Sequence, residues 1–171
     1  MRAWNCCYEY DIFILRGVYM PDTSWSKLNK LQLGRYAEYY AKMEFASYGF
    51  EVYTSEVDDH GIDFIAKGKN GKFHELQVKA VRQSNYVYMK KDKWNILDPS
   101  IYLILLIFED GRLPDVYLIP SVAWQFPNDL LCDKDYDGLK SKPEYGVNLS
   151  QKNMPMLEPY RLENMIQKLC K

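Results

Sequence analysis

The sequence has few of the residues and motifs that mark disulfide-rich, zinc-binding or nucleotide-binding proteins. It has only four cysteines and two histidines among 171 residues. Cys6 and Cys7 are adjacent while the other two cysteines stand alone, so they lack zinc-ligand spacing and we expect reduced structural thiols. A Gly-x-Ser-x-Gly turn, a phosphate-binding glycine-rich loop and a dinucleotide fingerprint are all missing. Acyl hydrolases, NTPases and dehydrogenases therefore have no positive support.

Long apolar runs are also missing. The longest, from Ile101 to Phe108, has eight residues, whereas a membrane-spanning helix needs about 20. The run from Ile12 to Leu15 has four residues, which is shorter than the core of a signal peptide, about 7 to 15 residues. We expect a cytoplasmic protein without a membrane partner.

The remaining composition is that of one globular domain: 47% hydrophobic, 15% aromatic and 26% charged residues. The net charge of −1 means that a polyanionic partner would have to be bound by a local basic patch. Residues 1–29 show little regular periodicity, and Met20 opens a turn-forming stretch. We expect residues 1–29 to be an N-terminal extension, with 1–19 outside the functional unit, and residues 30–171 to form a single domain.

The chain then alternates between helical and strand-like patterns. From Leu31 to Tyr48, small residues recur on one face of a helix turned by about 100° per residue, and Gly49 provides a stop. An Asn70-Gly71 pair predicts a hairpin. Strands are predicted at 51–55, 61–67, 73–81, 101–108 and 116–120, a short strand passing into a helix at 86–97, a loop-rich stretch at 127–156 and a closing helix at 159–169. This order predicts an α/β sandwich.

Polar side chains share one face of the strand 73–81. Alternation places Glu75, Gln77 and Lys79 together, opposite Leu76, Val78 and Ala80. The hairpin pairs positions whose numbers sum to about 141, which brings Asp63 within reach of Gln77 and Lys79. Carboxylate and amide oxygens are ligands that Mg²⁺ prefers, and a lysine stabilises charge or activates water in phosphodiester hydrolysis. An ordinary half-exposed strand is the alternative interpretation.

Three short motifs resemble the PD-(D/E)xK nuclease superfamily, in particular its small bacterial members with a Gln-x-Lys variant. These are Gly34-Arg-Tyr-Ala-Glu38, Gly61-Ile-Asp63 and Gln77-Val-Lys79, and the resemblance covers about residues 31 to 125. It implies a restriction-endonuclease-like α-β-β-β-α-β sandwich, with a mixed central sheet flanked by helices. It also implies that Asp63, Gln77 and Glu38 bind the metal ion and that Lys79 assists the nucleophile.

The sequence departs from the family pattern at two positions. Ile62 stands where the family name has proline, and Gln77 replaces an acidic residue, which lowers the negative charge available to a cation. Glu75, two residues earlier on the same face, is a secondary candidate for the missing carboxylate. Helical periodicity places Glu38 and Glu44 on opposite flanks of the small-residue face and does not choose between them, whereas the family motif selects Glu38.

Basic residues concentrate between residues 67 and 93, a stretch with eight basic and two acidic residues and hence a local net charge of +6. This patch is expected to bind phosphates. The candidate nucleic-acid ligands are Lys67, Lys69, Arg82, Lys90 and Lys91. Tyr86, Tyr88 and Trp94 lie among them and either stack on nucleotides or, by roughly two to one, belong to the core. His60 is a further loop residue that either contacts a phosphate or is solvated.

Three functions remain open. The first is a Mg²⁺-dependent nuclease, with Mn²⁺ as a substitute, that acts as a DNA endonuclease; RNA is not excluded, and a homodimer or homotetramer is possible. The second is a nuclease-fold module that has lost catalysis and binds nucleic acid or protein. The third is an α/β domain whose polar residues form a structural ion pair.

Overall fold

The computed structural model describes residues 21–54, 61–138 and 140–170. Within them the α-helices are α1 (Lys30–Ser47) and α2 (Leu162–Leu169), and 3-10 helices span Trp25–Lys27, Lys91–Lys93, Ser121–Gln125 and Gln151–Tyr160. The strands are β1 (Glu51–Tyr53), β2 (Phe64–Lys67), β3 (Phe73–Val81), β4 (Tyr86–Lys90), β5 (Ile101–Ile107), β6 (Asp115–Pro120), β7 (Leu131–Lys134) and β8 (Glu144–Asn148). They form a five-stranded sheet, in the order β1-β2-β3-β5-β6, and a three-stranded sheet, in the order β4-β8-β7.

Helix α1 forms where the sequence predicts it. Asn29 and Gln32 make a capping box at its start, each side chain bonding to the backbone N–H of the other. Gly49 follows its end with φ +83, the left-handed conformation that glycine favours. The buried face consists of Leu33, Ala37, Ala41 and Phe45. The small-residue face is thus confirmed at its centre, while Leu33 is buried in place of Gly34.

The meander of β1, β2 and β3 is the best-specified part of the fold. All its pairs are antiparallel, and Phe64 lies opposite Leu76. The turn between β2 and β3 contains Gly71 with φ +79. The Asn70 side chain accepts a bond from the Lys72 N–H and donates one to the carbonyl of Leu169. The predicted hairpin is confirmed, and its turn is tied to the last turn of α2.

The connection from β3 to its parallel neighbour β5 differs from the expected one. The predicted short strand is present as β4, but the helix predicted to follow it is absent from the described stretch 86–97. In its place are the 3-10 helix Lys91–Lys93 and a series of turns. The side chains of Asn95 and Asp98 accept bonds from backbone N–H groups two residues on. Such local bonds compete with helix formation, which explains the difference.

Two hydrophobic cores lie on opposite faces of the five-stranded sheet. The first core joins α1 and α2 to the sheet through residues such as Ala41, Phe64, Leu76, Leu106 and Ile166. The second core joins the other face to the three-stranded sheet through residues such as Val81, Met89, Leu105, Trp124 and Val147. The fold is therefore a three-layer arrangement, in which a small sheet occupies the face where a second helix was expected.

The small sheet lies partly in the stretch that was predicted to be loop-rich. Strands β7 and β8 pair antiparallel, and β8 also pairs with β4. The Pro, Asn, Asp and Gly residues around these short strands obscure their pattern in the sequence. The end of the chain was predicted more closely, since α2 lies within the predicted closing helix.

The segment before α1 is part of the first core. Trp25 is 2% exposed, and its indole N–H donates to the carbonyl of Arg112 at 2.8 Å. Its ring lies 4.9 Å from that of Tyr36 and 5.1 Å from that of Phe108. Residues 1–20 of the expected N-terminal extension lie outside the described part of the chain. In the part that is described, no helix is long and apolar enough to cross a membrane.

The buried residue His74 makes the stability of the first core dependent on pH. It is 6% exposed and lies edge-on to the rings of Phe50 and Tyr102, and neither ring nitrogen has a hydrogen-bond partner among the described residues. Burial, with a smaller contribution from Lys72, lowers the pKa of His74 below its usual 6.5. The unfolded chain therefore binds a proton at His74 more readily than the folded protein does. The contribution of neutral His74 to the free energy of unfolding is complete above the ordinary histidine pKa, and it is lost as the pH falls through the lowered pKa of the folded protein.

We expect the free energy of unfolding to fall between about pH 7.5 and about pH 5.5, and to fall less in a His74→Phe variant. Denaturant titrations at the two pH values measure this difference. An equal loss in both proteins would contradict the assignment.

Candidate active site

The three polar residues of β3 lie on the face of the sheet that is turned toward the three-stranded sheet. The residues that alternate with them, such as Leu76, pack in the first core. Val81, which lies on the same face of β3 as the polar residues, packs in the second core. Glu75, Gln77 and Lys79 are each partly buried. The predicted alternation of β3, and its position inside the sheet, are confirmed.

Asp63 lies immediately before β2 and bonds to β3 through both its backbone and its side chain. Its N–H donates to the carbonyl of Leu76 at 2.9 Å, and its Oδ2 accepts from the N–H of Val78 at 2.5 Å. In the adjacent residue pairs of β2 and β3, such as Phe64 and Leu76, the two residue numbers sum to 140, one less than predicted. This register brings Asp63 level with Gln77, and the carboxylate is held in place by the backbone of the strand that carries the other candidates.

The side chain of Gln77 contains an unsatisfied oxygen. Its Oε1 is buried and has no hydrogen-bond partner among the described residues. A buried acceptor without a partner costs about 1 to 3 kcal/mol, and such an atom in a native fold is a candidate ligand for a cation or a donor that binds there. Gln77 therefore remains a candidate ligand for a cation.

Gly61 shapes the position of the Gln77 side chain. Its φ of +77 is in the left-handed region that favours glycine. A Cβ atom at this position would lie 2.9 Å from Nε2 of Gln77 and 3.8 Å from Cδ of Lys93. Only a glycine lets the backbone approach the amide this closely. The Gly-Ile-Asp motif thus contributes its glycine as well as its aspartate.

Two cavities meet at Gln77 and Lys93, and we refer to them together as the cleft. The larger, about 710 Å³, is also lined by Gly61, Glu75 and Lys91. The smaller, about 390 Å³, is also lined by Lys79 and Lys90. Among the described residues, no carboxylate forms an ion pair with Lys79. The cleft therefore combines an unsatisfied amide oxygen with several ammonium groups.

Glu38 has a different environment. It lies on α1, which covers the opposite face of the sheet, and its Oε2 accepts from Nη1 of Arg35 at 2.6 Å. Within residues 21–54, 61–138 and 140–170, no three His, Cys, Asp or Glu side chains converge to hold a metal ion. Asp63, Glu38 and Glu75 thus do not form a three-carboxylate site.

The predicted nucleic-acid ligands are spread over three regions. Lys67 pairs with Glu51 at 3.3 Å, and Lys69 lies beside Gly49 at the end of α1. Arg82 lines a separate cavity between the end of β3 and the start of α1. Of these five predicted residues, only Lys90 and Lys91 line the cleft.

Lys91 is engaged within the protein. It forms ion pairs with Asp133 and with Asp135, the latter at 2.7 Å, and its ammonium lies 4.8 Å from the ring of Tyr145. Desolvation alone would lower its pKa, but hydrogen bonds to the two carboxylates outweigh it and raise the pKa of Lys91. The charge of Lys91 is balanced by these acids.

The aromatic residues of this region have different roles. Trp94 is 3% exposed and packs edge-on against Trp124 in the second core, as the burial tendency of aromatics indicated. Tyr86 is partly buried and donates to Glu144 at 2.9 Å. Tyr88 is 50% exposed, so it alone of the three is available for stacking. His60 lies outside the described residues.

Lys93 is the residue of the cleft that the sequence pattern did not single out. It belongs to a stretch predicted to be helical, and strand alternation gives no information there. Its presence in the basic stretch was the only available signal.

Solved structures of two other proteins have a fold similar to that of this chain. The chain is similar to the structure of a bacterial homing endonuclease, I-Ssp6803I, with 14% sequence identity and a TM-score of 0.50, over 83% of this chain and 91% of that one. The fold is restriction-endonuclease-like. The expected fold class is thereby confirmed, apart from the helix that β4 and the second sheet replace.

A second similar structure is Hjc, a Holliday junction resolvase of Archaeoglobus fulgidus. It has 14% sequence identity and a TM-score of 0.46, over 72% of this chain and 88% of that one. No protein-family model matches the chain, and no curated protein is similar to it.

Proposed function

We propose that this protein is a metal-dependent endonuclease that hydrolyses phosphodiester bonds in DNA. The observation that carries the proposal is the buried, unpartnered Oε1 of Gln77, level with the carboxylate of Asp63 and in the same cleft as Lys79. A restriction-endonuclease-like fold provides the supporting context, because it is also the fold of a homing endonuclease.

The donor set fits a hard divalent cation. Asp63 would contribute a carboxylate oxygen and Gln77 its amide oxygen, and these are the ligand types that Mg²⁺ and Mn²⁺ accept. Glu38 stays a proposed third ligand, but it lies on the helix that covers the opposite face of the sheet, so it would have to leave Arg35 and turn toward the cleft. When bound, the ion supplies charge stabilisation to the phosphate.

The protein's own residues account for the other requirements of hydrolysis. Asp63 is fixed by its bond from the Val78 N–H, so its carboxylate needs little reorganisation on binding. Lys79 is partly buried beside Gln77 and would orient the attacking water or stabilise the developing negative charge. The exposed Lys90, and Lys93, lie around the same cleft, where they would attract the phosphate backbone.

A plasmid cleavage assay tests the proposal. We expect nicking or linearisation in Mg²⁺ or Mn²⁺ and none in EDTA, and we expect Asp63→Asn to remove it while the circular dichroism spectrum is retained. Asp110→Asn is the matched control, because Asp110 is an exposed aspartate that bonds to the backbone N–H of Ser26, away from the cleft. Cleavage that persists in EDTA or in the Asp63→Asn variant would overturn the assignment.

The second candidate is a nuclease-fold module that binds nucleic acid or protein without cutting. It is favoured by the neutral Gln77 and by the lack of a three-carboxylate cluster in the described residues. DNA binding that is retained in EDTA, together with no cleavage in either metal, would support this candidate.

A further inference from the structure

Strand β4 lies at the edge of the three-stranded sheet and lines the smaller cavity of the cleft. We propose that the backbone N–H of Tyr88, in the middle of this strand, binds a phosphate of the DNA backbone by donating to one of its non-bridging oxygens. The inference rests on the proposed function. It goes further because it names a contact outside the family motifs, made by the main chain and not by a side chain.

The register of β4 determines which of its backbone groups are free. In an antiparallel pair, residues that exchange two hydrogen bonds alternate with residues whose N–H and C=O point away from the partner strand. The N–H of Leu149 donates to the carbonyl of Asn85 at 2.7 Å, and the N–H of Lys91 donates to that of Pro143 at 3.1 Å. In this register the odd-numbered residues from 85 to 91 bond to β8 and its flanking residues, whereas the N–H and C=O of Tyr88 point to the free edge.

The free edge of β4 is the part of the strand that lies along the cavity. All five residues of β4 line the smaller cavity, although side chains alternate between the two faces of a strand. A cavity that contacts consecutive residues therefore runs along the edge, where the unpaired backbone groups are. Gln77 and Lys79, on the polar face of β3, line the same cavity. The Tyr88 N–H thus points toward the cavity that contains the lysine proposed to assist hydrolysis.

The backbone groups of Tyr86 are covered, whereas the N–H of Tyr88 is not. The Ser84 hydroxyl donates to the carbonyl of Tyr86 at 3.0 Å and accepts from its N–H at 3.4 Å. The N–H of Tyr88 has no such partner among the described residues. Tyr88 is also 50% exposed, so a ligand can reach it. Free N–H groups on an edge strand are ready donors for a bound molecule.

The charges around the two cavities indicate an anionic ligand for the smaller one. Lys79 and Lys90 line it, and none of the described residues that line it is acidic. The larger cavity is lined by Glu75 and Asp92 as well as by lysines. A phosphate is therefore bound more favourably in the smaller cavity. Backbone N–H groups are common phosphate donors, and they fix the position of the DNA backbone without reading its sequence.

Amide hydrogen exchange, followed by NMR at single residues, tests the state of this edge. In the free protein we expect the N–H of Tyr88 to exchange faster than those of Val87 and Met89, which belong to the ladder with β8. A saturating DNA duplex in EDTA, which prevents the proposed cleavage, is expected to slow exchange at Tyr88 about tenfold or more, the effect of one hydrogen bond to a charged group. Val87 and Met89 are the internal controls and should not change.

Two results of the exchange experiment would overturn the inference. One is a Tyr88 N–H that exchanges as slowly as those of Val87 and Met89 in the free protein, or that DNA leaves unchanged. The other is slowing that depends on the protein concentration and not on DNA, because it would show that the free edge pairs with a strand of a second copy.

Two substitutions of Tyr88 separate its N–H from its ring. Tyr88→Ala removes the ring and keeps the N–H, whereas Tyr88→Pro removes both. Proline is tolerated on an edge strand where its missing N–H would face outward, so we expect similar denaturant midpoints for the two variants. Tyr88→Pro is expected to bind DNA about tenfold more weakly than Tyr88→Ala. Equal affinities of the two folded variants would overturn the inference, and if Tyr88→Pro fails to fold, the exchange experiment decides.

The outcomes separate this inference from the proposed function. If DNA slows exchange at Tyr88 but the protein does not cut it, the nuclease proposal fails and the phosphate contact stands. If the protein cuts DNA while exchange at Tyr88 is unchanged and the two variants bind equally well, the inference fails and the nuclease proposal stands. If the protein binds no DNA at all, both fail.

Discussion

The Lys79→Met variant is expected to cleave DNA about 10²- to 10⁴-fold more slowly than the natural protein, the usual contribution of a positioned proton-transfer or charge-stabilising group. Lys79 lies on β3 two residues after Gln77, and both line the smaller cavity. Methionine keeps most of the length and the apolar stem but removes the ammonium. Single-turnover rates in Mg²⁺ measure the effect on the chemical step.

A matched variant and a double variant make the result specific. Lys72→Met removes an exposed ammonium just before the same strand, outside both cavities, and should change the rate little. Combining Lys79→Met with Asp63→Asn should cost little more than the worse single change, because residues that act as a unit are not additive. A Lys79→Met protein as fast as Lys72→Met would contradict a role for Lys79 in the chemical step.

The elements that could be predicted are those specified by local sequence. Strand β3 was predicted with its exact limits, since its alternation extends over nine residues and a strong Asn-Gly turn precedes it. The capped helix α1 and the apolar strand β5 were found for similar reasons. Each of these elements carries its signal within a single stretch of the chain.

The elements that were missed depend on contacts distant in sequence. Strand β8 lies in the stretch that was predicted to be loop-rich, and it pairs with β4, whose residues lie about 60 positions earlier in the chain. Pairing with a strand that is close in space but distant in sequence therefore overrides local propensity there.

The same distinction applies to the candidate site. Alternation along β3 was enough to group Gln77 with Lys79, and the hairpin was enough to bring Asp63 near them. The balanced charge of Lys91 was not predictable, because Asp135 is 44 residues away. A basic stretch in the sequence therefore overestimates the number of lysines that are available to bind phosphate.

The largest expected effect on stability comes from Trp124→Ala. The Trp124 side chain is fully buried in the second core, its indole N–H donates to the carbonyl of Gly146 at 3.0 Å, and its ring lies 5.7 Å from that of Trp94. Truncating a buried tryptophan costs about 3 to 5 kcal/mol, and the Gly146 carbonyl would lose its donor as well. We expect denaturant titration to show a loss of this size.

The exposed Phe126→Ala variant is the control, since Phe126 is 78% exposed two residues later and should change the free energy of unfolding very little. Trp94 and Lys93 are adjacent and both line the larger cavity of the cleft. Loosening the Trp94–Trp124 contact should therefore also loosen this part of the cleft. A Trp124→Ala protein that remains folded is therefore expected to show a raised KM for DNA. Equal stability losses in the two variants would mean that the two sheets are held together by other contacts.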